Sequence, residues 1–130
     1  MSVELICLAW VVILGLVHII VAGHARTLEL GTKWNASARD GEHGPLSPVT
    51  GRLLRAQANF FETFPLFAAA VLMVAVTNSF STYSHWGAML YLIARAVYFP
   101  LYAFGIPVIR SLVWLISIVG LLMVLLPLIF

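Results

Sequence analysis

Charge is scarce in this sequence. Only 9% of its 130 residues are Asp, Glu, Lys or Arg, while 62% are hydrophobic. A water-soluble domain carries about 25% charged residues, so this chain lacks the polar surface that would keep it in solution. That excludes a soluble enzyme, a disordered tail and a nucleic-acid-binding domain. The formal net charge of +2 is too small to imply an electrostatic partner. Cysteine is scarce as well: Cys7 stands alone, which excludes an internal disulfide and a cysteine metal cluster. The histidines, His18, His24, His43 and His85, are not spaced as metal ligands, and no metal site is expected. His18 is expected to hydrogen-bond between helices. No GxSxG, HExxH or glycine-rich phosphate loop is present. No basic segment precedes the first apolar run, so that run is expected to remain as a helix rather than be cleaved as a signal peptide. There is no internal repeat and no lipidation motif.

What the chain does have is long apolar runs. A membrane-spanning helix needs about 20 largely apolar residues. Four runs qualify: about 3–23, 52–78, 82–104 and 107–130. They are far longer than a membrane strand, and an open sheet cannot satisfy its backbone in lipid. The expectation is one all-α integral membrane domain over residues 1–130, a four-helix bundle with up-down topology. Eight of the twelve charged residues lie between Arg26 and Arg55. The segment of about 24–51 therefore reads as an irregular polar loop with at most one short helical turn, broken at Gly31, Asp40-Gly41, Gly44-Pro45 and Ser47-Pro48. Its basic residues place it, and the third loop with it, on the cytoplasmic side, with both termini on the other side.

Polar residues inside the spans carry the chemistry, because a charge in lipid is costly and usually faces a partner or a cavity. Arg52, Arg55, Asn59 and Glu62 follow at intervals of 3, 4 and 3, which stacks them along one helix face. Arg95, Tyr98 and Tyr102 do the same on the third helix, and Arg110 opens the fourth. Glu62 lies about 15 Å in from Arg52, and Arg95 about 14 Å in from the same side, at 1.5 Å per residue. The acid and the base reach one depth and are expected to pair, directly or through a ligand. Four arginines against one carboxylate leave a positive surplus suited to an anionic ligand. The plainer readings are an Arg52 that snorkels to the interface, a structural Glu62–Arg95 ion pair, an aromatic belt at Tyr98 and Tyr102, and kinks at Pro65 and Pro100.

The stretch Arg55-Ala56-Gln57-Ala58-Asn59-Phe60-Phe61-Glu62-Thr63-Phe64-Pro65, continued by Ala94-Arg95-Ala96-Val97-Tyr98, Tyr102 and Arg110-Ser111, closely resembles the signature of the MAPEG family. These are membrane-associated proteins of eicosanoid and glutathione metabolism. The resemblance covers all four runs and is nearest to a bacterial branch, which implies a multi-pass protein of the bacterial inner membrane. It also implies a homotrimer that binds glutathione between subunits. Carried over residue by residue, it gives Arg55, Asn59 and Glu62 to glutathione on the second helix, and Tyr98 and Tyr102 on the third, beside Arg95. Arg26 stands in for an arginine reaching the glycyl carboxylate. Arg110 matches the arginine that stabilises the glutathione thiolate, the catalytic role. Ala58, Pro100 and Trp114 depart from the pattern of some members.

The resemblance implies a glutathione-dependent transferase or peroxidase acting on hydrophobic electrophiles or lipid peroxides. The alternative is a non-enzymatic scaffold or accessory membrane subunit that binds lipid with the same fold. A proton-coupled transporter is disfavoured, since the carboxylate is single and no polar path reaches the Cys7 side. The expected partners are the bilayer, further copies of the chain and a small hydrophobic substrate or lipid.

Overall fold

The computed structural model describes residues 1–130 as helices joined by turns, with no strand. Four helices are long: α1 (Val3–Leu30), α3 (Pro48–Val76), α4 (Thr82–Ala103) and α5 (Pro107–Ile129). A short helix, α2 (Thr32–Ala36), follows α1. Three of them, α1, α3 and α5, are long and apolar enough to cross a membrane.

Local chemistry sets the helix ends. Ser2 caps α1, its side chain accepting from Leu5 N at 3.2 Å, and Glu4 sits in the first turn, where an acid complements the helix dipole. The helix does not stop at Gly23 with the apolar run but continues through Arg26 and Glu29 to Leu30. Polar residues do not end a helix; Gly31 does, at φ +92°. The irregular part of the first loop is correspondingly short, because α3 starts at Pro48. Ser47-Pro48 is a helix start rather than a break: Ser47 Oγ accepts from Thr50 N at 3.3 Å, and Pro48 fills a first-turn position that needs no N–H. The Glu29 carboxylate ties the two ends together by accepting from Ser47 N at 2.7 Å and from the Thr50 hydroxyl. Ser81 and Ser84 form a reciprocal capping box at the start of α4. Pro65 and Pro100 lie inside continuous helices, as neighbouring helices allow in a membrane protein.

The outer surface is apolar and the interior holds polar groups. Trp10, Ile13, Leu16, Val17 and Ile20 are exposed along α1, whereas Arg95, His18, Tyr98 and Ser84 are buried. That is the distribution expected where lipid, not water, surrounds the helices. Apolar packing fills the half near the 77–81 turn. There Phe67 stacks on Tyr91 at 4.0 Å between centroids, and the Tyr91 hydroxyl meets Thr63 Oγ1 at 2.8 Å. Helices α4 and α5 touch backbone to backbone: a Cβ on Gly87 would lie 2.6 Å from the Gly120 carbonyl oxygen. Small residues permit this approach.

Candidate functional site

The half of the bundle near the 104–106 turn holds a column in which two tyrosine rings lie between two arginines. The Arg95 guanidinium carbon lies 4.5 Å from the centre of the Tyr98 ring and 5.5 Å from that of Phe60. Tyr98 and Tyr102 follow one helical turn apart, their centroids 5.6 Å from each other. Arg110, from the first turns of α5, closes the column with its guanidinium carbon 4.7 Å from the Tyr102 ring centre. From α3, Arg55 Nε donates to the Tyr102 hydroxyl at 3.3 Å. Tyr102 is thus held between two arginines of different helices.

Arg95 is fully buried. Its Nη1 donates to Asn59 Oδ1 at 2.9 Å, while Nε and Nη2 have no partner. The bond expected of Glu62 is therefore made by Asn59. Helical geometry explains the exchange. Each residue advances about 100°, so Arg52 and Asn59 fall nearly in line while Arg55 and Glu62 fall about 60° further round. The first edge turns toward α4 and is half-buried; the second is exposed. Spacing puts the four on one broad face, and helix twist divides it in two.

The structure brings Arg55, Asn59, Arg95, Tyr98, Tyr102 and Arg110 together by these contacts. Arg26 is elsewhere: it packs toward Trp34, 5.7 Å from the ring centre, on the ring that Arg39 also approaches at 5.1 Å. Glu62 is exposed on the outer side of α3. His18 does not hydrogen-bond between helices. It is fully buried with neither ring nitrogen partnered, between Phe60 at 4.8 Å and Phe99 at 4.1 Å.

Polar spacing misses one residue of the site and the partner of another. Phe60 offers its ring to both Arg95 and His18, but in sequence it is one more apolar residue. Arg52 does not snorkel outward. Its Nε donates to the Ala103 carbonyl at 2.9 Å.

Chemically, the column is a cationic surface with polarised phenols and few negative charges, open at one edge. A cavity of about 490 Å³ lies at the opposite end of the helices, lined by Ser2, Glu4, Ser81 and His85 among others, and is separate from it. An all-helical membrane protein with arginines and tyrosines converging in one half of the bundle is the class these observations define. The chain belongs to the MAPEG family, whose family model matches residues 7–130. That membership gives a membrane role related to glutathione or eicosanoids at the level of the family. No curated protein and no solved structure matches the chain.

Proposed function

We propose that the protein is a glutathione-dependent membrane transferase or peroxidase acting on hydrophobic electrophiles or lipid peroxides. The observation that carries this reading is the placement of Arg55 at the hydroxyl of Tyr102 and Arg110 over its ring, in one column with an Arg95 that has two unpartnered nitrogens. The cluster has more positive charge than its own residues balance, which suits a tripeptide with two carboxylates and a thiol.

The roles follow from charge. Arg55 holds a carboxylate of the ligand, and the exposed Glu62 its ammonium. Arg110 faces the sulfur. A free thiol has a pKa of about 8.5 and is mostly protonated at neutral pH. A guanidinium beside it favours the thiolate and keeps its own charge throughout. The thiol proton leaves to solvent. The sulfur lone pair then forms the new bond to an electrophilic carbon, and the leaving group departs with its electron pair. Asn59 and the Tyr98 ring hold Arg95 in place beneath the site.

Four membrane crossings and a homotrimer belong to the same proposal. Helix α4 has 22 residues, enough to cross, and its polar side chains Arg95 and Tyr98 are buried against its neighbours. Arg55 and Glu62 are exposed on the single chain. A neighbouring subunit that covers them completes a site one subunit leaves open. The first and third loops then face the cytoplasm.

One observation favours the scaffold reading: Asn59 and Arg95 bond each other between helices, as structural groups would. Calorimetric titration of glutathione into the detergent-solubilised protein decides between the two. The enzyme reading expects binding that Arg55→Ala weakens; no binding by the wild type leaves the scaffold.

A further inference from the structure

The last turn of α4 has no basic residue of its own. The final carbonyls of a helix lack intrahelical partners, and here two of them are satisfied by a Schellman motif. Ile106 N donates to the Leu101 carbonyl at 3.0 Å, and Gly105 N to the Tyr102 carbonyl at 3.0 Å. Gly105 has φ +74°, a conformation that side chains rarely adopt. The Ala103 carbonyl is taken by Arg52 Nε, at 2.9 Å, from α3. The guanidinium also lies against the glycine: a Cβ on Gly105 would come within 3.3 Å of Arg52 Nε and 3.4 Å of Cζ. Arg52 thus supplies the charge that complements the α4 dipole and fills the space that Gly105 leaves.

This corner aims the start of α5. Ile106 caps α5 without any side-chain hydrogen bond, so apart from Pro107 in the first turn, α5 contributes no bond of its own that holds its start against the corner. Arg110 lies just past that turn, near the positive end of its own helix dipole, where a cation gains nothing from the helix. It lies over the Tyr102 ring, 4.7 Å from the centroid. At the far end the two helices are clasped at Gly87 and Gly120. At the near end they are joined by the short 104–106 turn, and Arg52 lies against that turn from α3.

We infer that Arg52 is a positioning residue, which bonds the Ala103 carbonyl, backs onto Gly105 and so fixes the corner that places Arg110 over Tyr102. The inference rests on the proposed role of Arg110 at the sulfur. Arg52 itself touches no ligand.

The test uses the full chain in lipid-reconstituted form, with Arg52→Ala and Gly105→Ala as two independent ways to move the corner and Gly41→Ala, at a position with open space around it, as control. Misplacing a catalytic group by about an ångström costs on the order of 10²-fold in rate. Both corner variants should therefore lower kcat toward 1-chloro-2,4-dinitrobenzene by roughly 10- to 100-fold and reduce the thiolate absorbance of bound glutathione. The glutathione dissociation constant should change by less than about threefold, as for an interaction made mainly in the transition state. Hydrogen exchange should quicken at residues 104–110 and stay unchanged at 84–95. Wild-type kcat in Arg52→Ala, or an equal loss of affinity and rate, overturns the inference. If the wild type proves inactive, the enzyme reading fails separately, and exchange still decides on Arg52: an unchanged rate at 104–110 overturns it, and faster exchange confined there supports its grip on the corner.

Discussion

Arg95 Nη1 donates to Asn59 Oδ1 at 2.9 Å, joining α4 to α3 inside the bundle. Both residues belong to the stretches that carry the family resemblance, yet their nearest task is to hold each other. Arg95 has only this one partnered nitrogen in a fully buried position. Asn59→Leu should leave the guanidinium without its acceptor and destabilise the protein by about 1–3 kcal/mol, the usual cost of an unsatisfied buried polar group. Asn59→Asp, which supplies an acceptor with the opposite charge, should retain most of the stability. Thermal unfolding in detergent distinguishes the two.

The approach of α4 to α5 should tolerate no side chain. At Gly87 a Cβ meets the Gly120 carbonyl oxygen at 2.6 Å, and at Gly120 it meets the Gly87 carbonyl oxygen at 2.7 Å. Either position changed to Ala must push backbone away from backbone, with an expected loss of about 1–3 kcal/mol, as for overpacking. Gly23→Ala, with nothing within 4 Å, should be neutral or slightly stabilising. Melting temperatures of the three variants in one detergent provide the comparison.

Arg26 and Arg55 should separate in their effect on glutathione. Arg26 packs toward Trp34, while Arg55 bonds the Tyr102 hydroxyl. Arg55→Ala should raise the glutathione dissociation constant by about tenfold, the equivalent of one charge-assisted contact of roughly 1.4 kcal/mol. Arg26→Ala should change it by less than about twofold, because the half-buried Arg26 side chain packs toward Trp34 and away from the column. Titration calorimetry of both variants checks the order. An Arg26→Ala loss as large as that of Arg55→Ala would mean that Arg26 leaves Trp34 and turns to the ligand.

The helices were legible because apolar runs of spanning length have few other readings. Their ends were less so. Ser47-Pro48 serves equally as a loop break and as a cap followed by a first-turn proline, and only the partner of the Ser47 hydroxyl, Thr50 N, tells which. The continuation of α1 past Gly23 is hidden for a related reason, since apolarity marks where lipid ends and not where the helix does. In the site, intervals of 3 and 4 identify Arg55, Asn59, Arg95, Tyr98 and Tyr102 as neighbours along their helices. They do not fix the rotation of each helix, so matched depth pointed to Glu62 as the partner of Arg95 although Asn59 makes the bond. Burial settled the choice: Asn59 borders the interior and Glu62 is exposed. Arg52 was hidden because its acceptor, the Ala103 carbonyl, is backbone and carries no sequence signal.

In the proposed function, Arg110 acts on the sulfur of bound glutathione. Its guanidinium stands over the Tyr102 ring at 4.7 Å, the end of the column that faces outward from Arg95. The most direct measurement is the ultraviolet thiolate absorbance of glutathione bound at neutral pH to wild-type protein and to Arg110→Ala. A thiolate signal is expected in the wild type. In the variant, affinity should be nearly unchanged, most of that signal lost, and the barrier to turnover raised by roughly 2–4 kcal/mol, as for removal of one anion-stabilising donor. A wild type that binds no glutathione, or a variant that keeps the full thiolate signal, would contradict this role of Arg110.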